Sequence, residues 1–115
     1  MTQPPIYHLA DADQFAAATA SGTYEGTAAD RADGFIHFST AETVRESAAK
    51  HRAGQPNLLL LAVDPLRLGE ALKWEPARGG VLFPHLYGAL PISAVLSATP
   101  LPLDARGLHV FPDGF

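Results

Sequence analysis

The chain contains no cysteine, which excludes disulfides, thiolate metal sites and thiol catalysis and argues against a disulfide-stapled secreted protein. It also has no run of like charges and no basic cluster to go with its formal charge of -4. A non-specific nucleic-acid surface is therefore not expected, whereas a small anionic ligand needs only one local pocket. The longest strongly apolar run, Leu58 to Val63, is far too short to cross a bilayer. Met1-Thr2-Gln3-Pro4-Pro5 lacks the basic-then-apolar order of a signal peptide. These absences point to a soluble, cytoplasmic protein with no membrane partner.

Strong catalytic signatures are equally scarce. There is no GxSxG elbow and no HExxH pattern. Histidines stand at 8, 37, 51, 85 and 109, and none is three or four residues from another. No local zinc pair exists, so no metal is expected.

What is present suits one globular domain over residues 1–115, with 47% hydrophobic residues. Ile6-Tyr7-His8-Leu9 reads as a first strand, Ile6 and His8 on one face and Tyr7 and Leu9 on the other. Asp11 and Gln14 form a capping-box pattern ahead of an alanine-rich helix, Asp13 to Ala20, anchored by Phe15 and stopped at Ser21-Gly22. Thr23 to Asp33 shows no periodicity and reads as a loop. Gly34 to Glu42 then reads as a short strand entering a second helix, Thr40 to Arg52, with Ser39 and Glu42 as its capping box and Gly54 as its stop. Asn57 to Val63 is apolar on both faces, the mark of a central buried strand.

Shorter signals follow. Leu66 to Gly69 suggests one turn of helix, and Leu72-Lys73-Trp74-Glu75 a strand ended by Pro76. Ala77 to Pro84 reads as a loop, His85 to Gly88 as a strand fragment or extended loop, and Pro91 to Ala94 as a brief turn. Val95 to Leu101 reads as a last long strand, with Leu108 to Pro112 as a possible edge. Two main helices early and most strands late predict an α+β domain with a small mixed or split sheet.

Three clusters carry the candidate chemistry. His37 shares a strand face with Phe35 and Ser39, and a buried imidazole there needs a partner, either a backbone carbonyl or a ligand. Ser39 is explained by helix capping, a role compatible with holding phosphate at the same helix end alongside Thr40. Trp74, Phe83 and Tyr87 suit either ordinary core or the walls of a flat-ring pocket, with Glu75 accepting ribose-type hydroxyls. A serine or zinc hydrolase ranks well below these readings.

Together Ile6-Tyr7-His8, Gly34 to Thr40, Leu60 to Pro65, Leu72 to Glu75 and Phe83 to Gly88 resemble the bacterial family known as domain of unknown function 952. The resemblance covers nearly the whole chain and implies an ADP-ribosyltransferase-like fold. More distantly, His37-Phe38-Ser39 and the apolar run ending in Asp64 are similar to motifs of NAD-using RNA 2'-phosphotransferases. That likeness implies NAD as cofactor, with His8 on the nicotinamide-side ribose and His37 and Ser39 lining the NAD or phosphate cleft. Trp74 and Tyr87 would flank the ring, and Glu75, or His85, would be the late catalytic residue. Leu9-Ala10 departs from the Gly-Thr of those enzymes, and their phosphate-gripping arginines have no matched counterpart among Arg31, Arg45, Arg52 and Arg78. The expected partner is a small nucleotide-like or anionic ligand, taken either by an enzyme or by a non-catalytic binding module on the same fold.

Overall fold

The computed structural model describes residues 3–112 and Phe115. Its frame is an antiparallel sheet of three strands: β1 (Ile6–Asp11), β4 (Leu58–Val63) and β8 (Val95–Leu101), with β4 in the centre. A second antiparallel sheet has the order β3 (Ile36–His37), β6 (Leu82–Leu86), β5 (Leu72–Pro76). A two-stranded piece pairs β2 (Thr23–Tyr24) with β7 (Leu90–Pro91). Three helices complete the chain: α1 (Ala12–Ser21), α2 (Ala28–Asp33) and α3 (Val44–His51).

The α+β class and the split sheet agree with the sequence reading, but every named strand pair is antiparallel, so the sheet is not mixed. Leu58 to Val63 is the central strand its two-faced apolar character requires, because each face meets a different core. Leu61 and Val63 join Ile6, Phe15, Tyr24, Ile36 and Phe38 in one cluster. Leu58 and Leu60 join Leu9, Val44, Ala48 and Leu101 in the other. The period of two in β1 sends Ile6 and Ala10 to the first core and Leu9 to the second. Full burial of a side chain such as Leu61 stabilises the fold by about 1.5–3 kcal/mol.

α1 starts where Asp11 accepts hydrogen bonds from the backbone N–H groups of Asp13 and Gln14 (3.0 and 3.2 Å), and it ends at left-handed Gly22. Phe15 and Ala18 form its buried stripe.

Four expectations need correction. Thr23 to Asp33 is not a loop: it holds β2 and α2. The Thr27 hydroxyl accepts from Asp30 N (3.2 Å) and the Asp30 carboxylate accepts from Thr27 N (2.8 Å), a reciprocal capping box on a helix too short to show periodicity. The described residues accordingly hold three α-helices, not two.

Ser39 does not cap the second expected helix. Its backbone is still extended and exchanges two hydrogen bonds with Tyr7 (2.8 and 2.7 Å), a bridge that ties the two three-stranded sheets together. The helix begins only at Val44, after a turn in which the Thr43 hydroxyl accepts from Thr40 N (3.0 Å). The basis for a phosphate site at Ser39 and Thr40 on a helix end is thereby removed.

Ala77 to Pro84 is only partly loop, since β6 begins at Leu82 and carries Pro84 inside a central strand. Proline is tolerated because the ladder there uses its carbonyl, which accepts from Phe38 N (3.0 Å). The tail makes an isolated bridge, Leu103 with His109, and no full edge strand among the described residues. The Arg78 side chain and Met1-Thr2 lie outside the described residues.

Candidate functional site

Antiparallel pairing places His37 directly opposite His85, and His85 opposite Lys73, in one row across the β3-β6-β5 sheet. Directly paired residues share a face, so both imidazoles stand on the same side. Their ring centroids are 5.6 Å apart. Phe35 covers both, stacked on His85 at 4.2 Å and tilted on His37 at 4.6 Å. The face opens into a cleft of about 620 Å³ that also receives Tyr7 and His8 from β1, Asp30 from α2, and Arg52 from the end of α3. Such a volume lies within the range of about 300–1,000 Å³ typical of small-molecule sites.

The protonation of each histidine follows from its partners. His37 Nδ1 donates to Asp30 Oδ1 (2.5 Å) and Nε2 to Asp33 Oδ2 (3.1 Å). Both acceptors are carboxylates, so both ring nitrogens carry protons and the ring is an imidazolium. The hydrogen bond to Asp30 is the largest cause that raises its pKa above the ordinary histidine value.

His8 is the opposite case. It is only 3% exposed, its Nδ1 donates to the His37 carbonyl (2.7 Å), and its Nε2 accepts from the Tyr24 hydroxyl (2.8 Å). Burial lowers its pKa, so it stays neutral. Burial likewise pushes the Tyr24 hydroxyl up, keeping it a donor. Both nitrogens of His8 are therefore committed within the protein.

His85 Nδ1 donates to Glu75 Oε1 (2.8 Å), and the Tyr87 hydroxyl donates to the same oxygen (2.7 Å). These two hydrogen bonds, Tyr87 first, hold the Glu75 carboxyl below its ordinary range. With Nδ1 donating to Glu75, Nε2 is the ring nitrogen left to meet a ligand. It has no hydrogen-bond partner among the described residues and is not sealed from solvent. Among His8, His37 and His85, this is the ring nitrogen left without a protein partner and so placed to meet a ligand.

The structure thus brings His8, His37, Ser39 and His85 to one cleft. Ser39 is buried in its wall, its Oγ bonded to Ser47 Oγ (3.0 Å). Glu75 and Tyr87 stand behind His85, outside the lining. Trp74 pairs with Pro84 on the opposite face of the sheet, 46% exposed, and does not wall the cleft. Thr40 does not line it either. Of the weighed arginines whose side chains are described, Arg52 lines the cleft, with Nη1 on the Leu9 carbonyl (3.0 Å) and Nε on Gln55 Oε1 (2.7 Å).

Asp30 is the residue of the candidate site that the sequence alone does not single out. It is 3% exposed and accepts from Thr27 N, His37 N and His37 Nδ1, with His8 Nε2 at 3.8 Å. Burial alone would raise its carboxyl, but the His37 hydrogen bond and the backbone donors of Thr27 and His37 outweigh it and hold the pKa low. The signal was Thr27-Ala28-Ala29-Asp30, an N-cap followed three residues later by an acid.

The family model described as "Protein of unknown function (DUF952)" matches residues 9–98. The chain belongs to that family. Among solved structures, the crystal structure of protein CC0527 from Caulobacter crescentus is 50% identical with a TM-score of 0.89, covering 92% of this chain and 93% of that one. The solution NMR structure of CC0527 is 51% identical with a TM-score of 0.80, covering 90% of each chain. No curated protein matches. Among the described residues no helix is long and apolar enough to cross a membrane.

The charges of this site in a DUF952 chain set its pH dependence. His37, with its raised pKa, stabilises the fold fully below the unfolded histidine value near 6.5, and that stability is lost as pH rises through the folded pKa. His8, with its lowered pKa, acts in the other direction, and stability is lost as pH falls below 6.5 towards its folded pKa. Thermal melts across pH 5 to 9 are expected to peak near about 6.5, and His37→Gln is expected to flatten the alkaline side alone. An alkaline decline unchanged in that variant would exclude the assignment.

Proposed function

We propose that the cleft binds a nucleotide-like anion, NAD first among them, and that the chain is an ADP-ribosyltransferase-like domain that transfers or removes ADP-ribose or phosphate. The observation that carries this reading is the open Nε2 of His85, backed by Glu75 and Tyr87 and set beside the His37 imidazolium on the sheet face that lines a nucleotide-sized cleft. Arg52 supplies a fixed positive charge in the same lining. The split sheet, and the convergence of His8, His37 and Ser39, are what the family likeness leads one to look for.

Within this reading His85 is the acid–base group and Glu75 the residue that orients it. Glu75 stands outside the lining and acts through His85, holding its Nδ1 so that the ring is fixed against the cleft. His8 supports the floor of the cleft and holds the His37 backbone. Ring recognition falls to Phe83 and Tyr7, which line the cleft, and not to Trp74.

NAD titration by calorimetry and thermal shift tests the proposal. Saturation at about 100 times Kd adds about 2.7 kcal/mol of stability, a shift of several degrees. Arg52→Ala and His85→Gln are expected to weaken binding. A melting temperature unmoved by millimolar NAD would exclude NAD. Stabilisation by adenosine monophosphate without NAD turnover would favour the second reading, a non-catalytic module for an anionic metabolite. The full commitment of His8 and the Leu9-Ala10 departure favour that second reading.

A further inference from the structure

We infer that His37 and His85 are a complementary acid–base pair for hydrolysing a nucleotide phosphodiester, with a ribonucleoside 2′,3′-cyclic phosphate as the simplest substrate. The inference rests on the reading that the cleft takes a nucleotide-like anion and names the bond that is broken there. Three observations carry it. The β3–β6 register sets the two imidazoles opposite one another on one face, centroids 5.6 Å apart, which is close enough for both to reach oxygens on one phosphorus. The two rings are held differently by their partners: His37 at both nitrogens by two carboxylates, His85 at Nδ1 alone by Glu75, which leaves its Nε2 open. The His37 ring, and Arg52 elsewhere in the same lining, supply positive charge to the cleft.

In-line displacement at phosphorus needs a base at the entering oxygen and an acid at the leaving oxygen, on opposite sides. His85 Nε2 takes a proton from water as its oxygen bonds to phosphorus. The bond from phosphorus to the ribose 2′ (or 3′) oxygen breaks, and that oxygen takes the proton from His37 Nε2. The product is a ribose phosphomonoester, with one water added and no redox change. His85 ends protonated and His37 neutral, and exchange with solvent restores both.

Asp33 is the device that makes this possible for His37. It is more than half exposed, at the end of α2, and holds Nε2 by a surface contact that a bound substrate can displace. Asp30, buried behind Nδ1, stays in place and keeps the ring cationic. The other charged or titratable groups around the pair, among the described residues, are Tyr7 and His8 from β1, His51 and Arg52 at the end of α3, Glu75 and Lys73 from β5, and Tyr87 beyond β6. Phe35 fixes the relative orientation of the two rings by packing on both.

The test is to incubate the whole chain with adenosine 2′,3′-cyclic phosphate and follow the cyclic resonance by phosphorus NMR. Wild type is expected to convert it to a monophosphate with a bell-shaped pH profile. His85→Gln and His37→Gln, each shown folded by circular dichroism, are expected to lose at least about 100-fold in kcat/KM. Asp33→Asn removes one of the groups that hold the His37 proton, so the alkaline limb of the profile moves to lower pH, a change that a merely structural aspartate would not produce. Binding of the cyclic nucleotide by thermal shift without turnover overturns this inference and leaves the nucleotide cleft standing. Neither binding nor turnover overturns both. Turnover that survives in either glutamine variant overturns the assignment of the pair.

Discussion

Replacing Asp30 with alanine is expected to cost about 3–5 kcal/mol of stability, the range for removing one partner of a buried, hydrogen-bonded charge pair. For a chain of this length that is a fall in melting temperature on the order of 10–20 °C. The size follows from how many groups depend on one carboxylate. Thr27 N at 2.8 Å, His37 N at 3.2 Å and His37 Nδ1 at 2.5 Å all lose their acceptor together. Unlike a surface pair, the carboxylate is almost wholly buried, so water does not replace it without opening α2. Asp30→Asn keeps one acceptor oxygen but not the charge, and is expected to fall between wild type and Asp30→Ala. Urea melts at pH 7 with NMR titration of His37 check both points. A loss under about 1 kcal/mol, the scale of an exposed ion pair, would show that the carboxylate is not the anchor of the site.

Gly26→Ala is expected to reach the same carboxylate from behind, at a cost on the order of 2–4 kcal/mol. Gly26 has φ +91°, and a Cβ there would lie 2.8 Å from both Cβ and Oδ2 of Asp30 and 3.1 Å from Ile36 Cγ1. The left-handed backbone alone costs an alanine about 1–2 kcal/mol. The clash adds to it because Asp30 is held at both oxygens and has nowhere to retreat. Gly22→Ala separates the two effects, since φ there is +94° with nothing within 4 Å of the added carbon. That control is expected to show only the backbone cost and an unshifted His37 titration. Equal losses for the two variants would mean that the close packing of Gly26 on Asp30 contributes nothing.

Both substitutions act on a part of the chain that composition and periodicity leave blank. α2 has six residues, too few for a 3.6-residue repeat to emerge, and it announces itself only by its caps, Thr27 with Asp30 and then Gly34. Asp33-Gly34, which reads as a simple turn, is the last residue of that helix and its left-handed cap. Ser39 misled for a related reason. A serine three residues ahead of a glutamate satisfies the capping pattern whether or not the backbone turns there, and the Tyr7 bridge keeps this one extended. Pro84 misled because a proline inside a central strand is disfavoured unless the ladder needs only its carbonyl.

Local chemistry was enough for β1 with its two faces, for the Asp11 cap of α1, for the buried β4 strand and for β8. Each depends on a short period or on neighbouring residues, which a linear chain displays directly. The same holds for the histidines on strands 6–11 and 36–37 as candidates, and for membership of the DUF952 family. What only the tertiary structure decided is which proton each histidine holds. His8 is neutral because β1 buries it against Tyr24, His37 is cationic because α2 returns with Asp30 and Asp33, and His85 keeps an open nitrogen because β5 brings Glu75 to its other side. Protonation is set by charges and burial supplied from distant parts of the chain, and no spacing along the sequence encodes those distances.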